Sequence, residues 1–155
     1  MPSRLVVTTP SEREIHVSRV FEAQARVIFD FHTKPELVQK WLLGPPGWSM
    51  PICEIDLRVG GRYRYVWRND GDGHEFGVQG QFQEISVPAR VVHTESMDGR
   101  AGESVCTLTL RESGNLTTLD LTMRFSSQAE RDGALESGMT EGMASSYDRL
   151  EQSVS

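Results

Sequence analysis

Hydrophobic and polar residues alternate along much of the chain, and the alternation is clearest in residues 117–125. One face of this segment carries Thr117, Leu119, Leu121, Met123 and Phe125, and the residues between them are polar. A period of two with one apolar side is typical of an antiparallel strand that is buried on one face and solvated on the other. The pattern therefore predicts a strand over residues 117–125 that covers a core.

Other segments are predicted as strands from alternation or from the turn residues that bound them. They are residues 13–21, 52–59, 62–68, 75–86, 91–97 and 103–111. The Asn-Asp-Gly-Asp-Gly run at 69–73 is a strong hairpin signal. Because consecutive strands joined by short turns pair with each other, we expect the last six strands to form an antiparallel meander.

Two short helices are predicted between the first and second strands. The first covers residues 23–31, with Val27, Ile28 and Phe31 on its buried side. The second runs from Thr33 to about Leu43, where a Gly-Pro-Pro-Gly run cannot continue a helix. Thr33 and Glu36 have the spacing of a capping box.

One long C-terminal helix is predicted from Ser127, which with Glu130 forms a second capping pattern. Its apolar stripe consists of Leu135, Met139, Gly142, Met143, Tyr147, Leu150 and Val154. Leu135, Met139 and Met143 are expected to pack on the 117–125 strand. Gly142 indicates either a close approach of helix to sheet or space left open for a ligand, and we favour open space.

These elements predict an α+β fold, in which a curved antiparallel sheet is covered by the C-terminal helix and two short helices close one end. The length of 155 residues and the hydrophobic content of 37% suit a single domain over residues 1–155.

The charge balance argues against nucleic acid and anionic membranes as partners. Lys and Arg total 16 against 22 Asp and Glu, a net charge of −6. The one basic cluster, at Arg58, Arg62, Arg64 and Arg68, is interpreted as the outer face of a strand.

The N-terminal residues lack the apolar core of a signal peptide, and no apolar run is long enough to span a membrane. We therefore expect a cytoplasmic protein in which Cys53 and Cys106 are reduced thiols. The histidines show no metal-ligand spacing, and the Asp70–Asp72 loop lacks the Gly and Glu of a calcium site. Neither a metal nor a cofactor is predicted.

Five phrases resemble a known family. They are Arg-Val-Phe-Glu-Ala at 19–23, Pro-Glu-Leu at 35–37 followed by Trp41, Glu-Ile-Asp-Leu-Arg-Val-Gly-Gly at 54–61, Val-His-Thr-Glu at 92–95, and Gly-Met-Thr-Glu-Gly-Met-Ala-Ser-Ser-Tyr-Asp-Arg-Leu at 138–150. The chain is similar to the SRPBCC, or START-like, superfamily, in the branch named after activators of the heat-shock-protein-90 ATPase. The resemblance implies a helix-grip fold, in which a cavity between the sheet and the C-terminal helix holds an apolar small molecule.

Two polar residues interrupt the apolar face predicted for residues 91–97. Period-two alternation puts His93 and Glu95 in phase with Val91 and Met97. Three interpretations stay open at this stage: a hydrogen-bonded buried pair, a pair that orients a ligand, and a general acid and base.

The methionines are interpreted either as an adaptable pocket lining or as ordinary core. Trp41, Trp48 and Met50 lie near the Gly-Pro break and could form the cavity mouth, although Trp41 could equally anchor the second helix. The full ligand-binding set that we predict is Trp41, Tyr63, Tyr65, Trp67, His93, Glu95, Met97, Met123, Met139, Gly142, Met143 and Tyr147.

Three functions follow from this set. The first is binding of a hydrophobic or aromatic small molecule. The second is a cyclase- or hydrolase-like reaction that uses His93 and Glu95. The third is an interaction role, with a chaperone or as a homodimer formed through the sheet edge or the helix.

Overall fold

The computed structural model of the protein describes residues 4–154, which form eight strands and four helices. The strands are β1 Val6–Thr8, β2 Glu14–Phe21, β3 Trp48–Ile55, β4 Arg62–Asn69, β5 Glu75–Ser86, β6 Arg90–Met97, β7 Ser104–Ser113 and β8 Leu116–Arg124. The helices are α1 Ala25–Thr33, α2 Pro35–Trp41, α3 Gln128–Glu136 and α4 Met139–Val154.

All eight strands belong to one antiparallel sheet in the order β1-β2-β8-β7-β6-β5-β4-β3. Strands β3 to β8 follow one another as a meander, and β2 pairs with β8, so the predicted α+β architecture and meander are confirmed. Strand β1, which pairs Val7 with Val17, was not predicted. Three residues are too few to display a period.

The apolar face of β8 lies in the core, as its alternation predicted. Leu119 and Met123 are buried, and Leu121 and Phe125 are partly buried. Leu121 and Phe125 pack against the buried cluster that contains Met123, and so do the helical residues Ala134, Leu135, Met139 and Met143. The predicted packing of helix on strand is confirmed around Met123.

The first edge of the meander differs from the prediction. We expected a strand over 52–59, but β3 ends at Ile55 and the chain turns. The amide of Arg58 donates to the carbonyl of Asp56, that of Gly61 donates to Arg58, and Gly60 has φ +86°. Residues 56–59 therefore form a tight turn, although apolar and polar residues alternate there as they would in a strand.

The short helices are shifted relative to the prediction. Because α1 begins at Ala25, Phe29 is buried and Val27 is 36% exposed, so the placement of Val27 on the buried side was wrong. Thr33 ends α1, and its hydroxyl donates to the Phe29 carbonyl. The second helix is capped by Lys34 with no side-chain hydrogen bond, so the predicted capping box is absent.

The predicted single C-terminal helix is divided into α3 and α4. Its start is confirmed, because the Ser127 hydroxyl accepts a hydrogen bond from the Glu130 amide. The break follows Ser137, where Gly138 adopts φ +85°. Only glycine adopts that conformation without strain, and it is the usual residue just beyond a helix end.

Candidate functional site

A cavity of about 300 Å³ lies between the sheet and α4. Strands β3 to β8 contribute to one wall, α4 forms the opposite wall, and α1 and α2 close one end. All the residues predicted for ligand binding contribute to its lining: Trp41, Tyr63, Tyr65, Trp67, His93, Glu95, Met97, Met123, Met139, Gly142, Met143 and Tyr147. Their role in holding a ligand stays a prediction.

Aromatic rings cover the sheet side of the cavity. Alternate residues of β4 point the same way, so the ring centroids of Tyr63 and Tyr65 are 5.0 Å apart and those of Tyr65 and Trp67 are 5.9 Å apart. Phe76 stands opposite Trp67 in the β4–β5 register and stacks on it at 5.1 Å. Trp48 meets Phe76 edge to face.

Trp41 combines both roles considered for it. Its indole N–H donates to the Phe31 carbonyl at 2.7 Å, and only 1% of the residue is exposed, which fixes α2 against α1. Its ring also packs against Tyr147 at 4.9 Å and lines the closed end of the cavity. The indole N–H of Trp67 is likewise satisfied, by the carbonyl of Leu42 at 2.7 Å.

His32 and Tyr147 form a hydrogen-bonded pair at this closed end. His32 Nδ1 lies 2.8 Å from the Ile28 carbonyl, so Nδ1 carries the proton and Nε2 accepts from the Tyr147 hydroxyl at 3.1 Å. Burial lowers the pKa of His32 to about 4, and burial raises the pKa of Tyr147. Both groups are therefore neutral at pH 7.

A second polar group lies on β4 and β6. The Tyr63 hydroxyl is 2.8 Å from the Thr94 carbonyl and 3.2 Å from Glu95 Oε1. His93 Nδ1 donates to the same carbonyl at 3.1 Å, which leaves Nε2 as an acceptor. Burial, and then the charge of Glu95, raises the pKa of Tyr63. His93 and Glu95 are thus tied to Tyr63 and Thr94 rather than to each other.

Gly80 on β5 makes this arrangement possible. A Cβ at this position would collide with the Thr94 carbonyl and would lie 2.7 Å from the Tyr63 ring. The missing side chain therefore lets the Tyr63 hydroxyl and the β6 backbone approach each other.

The charge of the cavity wall is unbalanced. Among the described residues that line it there is no Lys or Arg, and Glu95 is the sole carboxylate. The Cys106 thiol also faces this region, and burial raises its pKa well above the usual value. Cys53 and Cys106 are both free thiols.

The methionines divide between core and wall. Met123 is 5% exposed and belongs to the core as well as to the lining, whereas Met97 is 37% exposed at the cavity margin. Met139 and Met143 are half-buried on α4. The two interpretations of the methionines therefore apply to different members of the set.

Gly142 faces a loop rather than the sheet. A Cβ added there would lie 3.7 Å from Pro45 Cδ and 3.9 Å from Gly44 Cα, which is ordinary van der Waals contact. The alternative of a close helix–sheet approach is therefore wrong, and the position tolerates a small side chain.

Several lining residues were not identified from the sequence. His32 shares a helical face with Ile28, and Phe76 alternates with Val78 and Phe82, so both carried a weak signal in their spacing. Trp48 lines the cavity as considered, but Met50 is buried and does not line it.

A wider groove of about 700 Å³ adjoins the cavity. It runs between the β6–β7 turn and the α3–α4 break. Five residues line both spaces: Phe76, Val78, Glu95, Met97 and Met139. Glu95 therefore lies at the junction of the two spaces.

Across residues 4–154, no three His, Cys, Asp or Glu side chains come together in a way that could hold a metal ion. Over the same residues, no helix has the length and apolar character needed to cross a membrane.

A curved antiparallel sheet that holds a cavity against a C-terminal helix is the helix-grip fold of the START-like superfamily. Residues 22–155 match the family described as Activator of Hsp90 ATPase homolog 1-like protein, and the chain belongs to this family. The family and the fold suggest a ligand-binding domain.

Solved bacterial structures share the fold over nearly the whole chain. A protein from Rhodobacter sphaeroides is 27% identical with a TM-score of 0.89, covering 96% of this chain and 95% of that one. A protein from Nitrosomonas europaea is 24% identical with a TM-score of 0.82, covering 93% and 95%. Protein Ms6760 from Mycobacterium smegmatis is 19% identical with a TM-score of 0.84, covering 97% and 98%. No curated protein sequence matches the chain.

Proposed function

We propose that this protein binds a hydrophobic or aromatic small molecule in the cavity between the sheet and α4, and releases it unchanged. The observation that carries the proposal is the cavity itself: about 300 Å³ enclosed largely by aromatic and aliphatic side chains, with a few polar atoms on one wall. Sites for small organic ligands have this character.

The polar atoms suit orientation of a ligand. His93 Nε2 and the second oxygen of Glu95 have no hydrogen-bond partner among the described residues, while their other polar atoms are held by Thr94 and Tyr63. Acceptors fixed in this way could bind a donor on the ligand without reorganising. The free thiols Cys53 and Cys106 fit a reducing compartment, so the proposal places the protein in the cytoplasm.

A screen of apolar and aromatic compounds by thermal shift tests the proposal. A ligand that binds only the folded state stabilises it by RT ln(1 + [L]/Kd), about 2.7 kcal/mol at a hundredfold excess over Kd. We expect an aromatic compound to raise Tm and to be recovered intact by mass spectrometry. If no compound in a broad library shifts Tm, the proposal fails, and an interaction role with a chaperone or a second copy gains support.

Catalysis is a second candidate, favoured by the same acceptor atoms of His93 and Glu95. Either atom could take a proton from a bound substrate. Consumption of a ligand that is lost in both His93→Ala and Glu95→Gln, with Tm unchanged, would favour the enzyme. Intact recovery of the ligand favours binding.

A further inference from the structure

We propose that the ligand carries a positively charged amine, and that its ammonium group lies between the Glu95 carboxylate and the aromatic rings of β4. This inference rests on the proposed binding function and specifies its ligand class. It goes beyond the apolar cavity because it assigns a charge and an orientation to the molecule inside.

The first support is the charge imbalance of the lining. Among the described residues that line the cavity, Glu95 is the sole carboxylate and none is Lys or Arg. Of the two lining histidines, His32 does not supply a positive charge, because burial lowers its pKa to about 4, and His93 directs its Nδ1 proton to the Thr94 carbonyl rather than to Glu95. Within residues 4–154, Glu95 has no ion-pair partner among the salt bridges formed. A half-buried carboxylate without a counter-ion favours a cationic ligand and repels an anionic one.

The second support is the excess of hydrogen-bond acceptors beside Glu95. Among the described residues, its one donor is the Tyr63 hydroxyl, which is shared with the nearer Thr94 carbonyl. His93 directs its Nδ1 proton to that same carbonyl. The indole N–H groups of Trp41 and Trp67 are bound to backbone carbonyls. An ammonium group would bring up to three N–H donors to the acceptor atoms left on Glu95 and His93.

The third support is the set of aromatic rings on the same wall. Tyr63 and Tyr65 are neighbours of Glu95 across the sheet, and burial is the main cause of the raised pKa of both hydroxyls, with the charge of Glu95 a smaller contribution to each. The rings continue along β4 to Trp67 and its stacked partner Phe76. Aromatic faces attract organic cations, and this attraction strengthens when water is excluded. The same surface would accept an aromatic ligand body by stacking.

The position of Glu95 sets the orientation of the ligand. Because Glu95 lines both the cavity and the adjoining groove, the charged end would lie at this junction and the apolar body would extend towards Trp41 and Tyr147. Among the described residues that line the groove there are also Glu103 and Glu130, against one basic residue, Arg100. An amine that approaches through the groove therefore meets a net negative surface.

Three probes built on one aromatic body separate charge from shape: 2-naphthylmethylamine, 2-naphthylmethanol and 2-naphthoate. Their affinities are measured at pH 7 by calorimetry with the full chain. We expect the amine to bind at least about tenfold more tightly than the alcohol, a difference of about 1.4 kcal/mol, and the carboxylate to bind most weakly.

Two variants test whether Glu95 causes this order. Glu95→Gln keeps an acceptor for the Tyr63 hydroxyl but removes the charge, so the amine should lose its advantage while the alcohol keeps its affinity. Glu54→Gln makes the same charge change at an exposed position on β3 and should leave the order intact.

The outcomes distinguish this inference from the proposed function. If the alcohol binds as tightly as the amine, or the carboxylate binds best, the amine inference is wrong while small-molecule binding stands. An amine preference that survives in Glu95→Gln also overturns it. If none of the three probes and no compound of the broad library binds, both proposals fail.

Discussion

The two halves of α4 use one apolar stripe in different ways. In the C-terminal half, Tyr147 and Leu150 are buried at 2% and 0% exposure. In the N-terminal half, Met139, Gly142 and Met143 are only partly buried, and all three line the cavity. A continuous amphipathic pattern therefore does not imply continuous core packing. The C-terminal half is buried in the core, where Tyr147 also reaches the cavity lining, and the N-terminal half borders the cavity without being fully buried.

The neighbours of each half explain the difference. The C-terminal half packs against α1 and α2 and is tied to β2, where the buried Arg19 donates to Asp148 at 2.7 Å. The N-terminal half follows the break at Gly138, and the helix before it, α3, has no buried residue. Across the N-terminal half lies a loop at Gly44 and Pro45 rather than a packed helix.

Truncation of a buried side chain in the C-terminal half should have the largest effect. Leu150→Ala removes a fully buried side chain and should lower the free energy of unfolding by about 3–4 kcal/mol. Met139→Ala is the matched change in the other half and should cost less than about 1 kcal/mol, because Met139 already borders empty space. Urea unfolding of both variants measures this. Equal losses would show that the halves do not differ in packing.

Acidification should destabilise the protein through His32, which is hydrogen-bonded to Tyr147 in the C-terminal half of α4. The pKa of His32 falls from 6.5 to about 4 on folding, so the unfolded chain binds more protons between these values. Stability should therefore decrease as pH falls from about 6.5 to about 4, by up to about 3 kcal/mol from this group. For His32→Gln, the free energy of unfolding should depend less steeply on pH across that range. An unchanged slope in the variant would contradict the assignment.

Two glycines bracket the end of α3 and should respond oppositely to alanine. Gly138 has φ +85°, so Gly138→Ala should destabilise the protein by about 1 kcal/mol or more. Gly133 lies inside α3, and an added Cβ meets no atom within 4 Å, so Gly133→Ala should stabilise by up to about 1 kcal/mol. Thermal unfolding of the two variants measures whether each change raises or lowers Tm. Stabilisation by Gly138→Ala would mean that α3 and α4 form one continuous helix.

Alternation along the strands was sufficient to predict most of the sheet and one wall of the cavity. Each strand has only two faces, so once Tyr63 and Val91 are placed inside, Tyr65, Trp67, His93 and Glu95 follow. The hydroxyl cap at Ser127 was also predictable, because its geometry depends on a few adjacent residues.

The helices were harder to predict because their phase depends on where they begin. A start at Ala25 instead of residue 23 exchanges Val27 for Phe29 on the buried side and brings His32 to the cavity. From the sequence, Thr33 could either cap α2 or end α1. In the structure it ends α1, because its hydroxyl donates a hydrogen bond to the Phe29 carbonyl. Gly138 shows the same ambiguity, because a glycine within a helix and one that ends a helix look alike in sequence.

The space beside the N-terminal half of α4 is the proposed ligand site. Its most direct test compares Gly142→Leu, which adds a side chain at a position that lines the cavity, with Gln152→Leu, which places the same side chain at an exposed position of α4. Affinity for the best aromatic compound is measured by calorimetry, with circular dichroism to establish folding. We predict that Gly142→Leu stays folded and loses binding at least about tenfold, or about 1.4 kcal/mol, while Gln152→Leu binds like the parent. A folded Gly142→Leu protein with parental affinity would contradict the account.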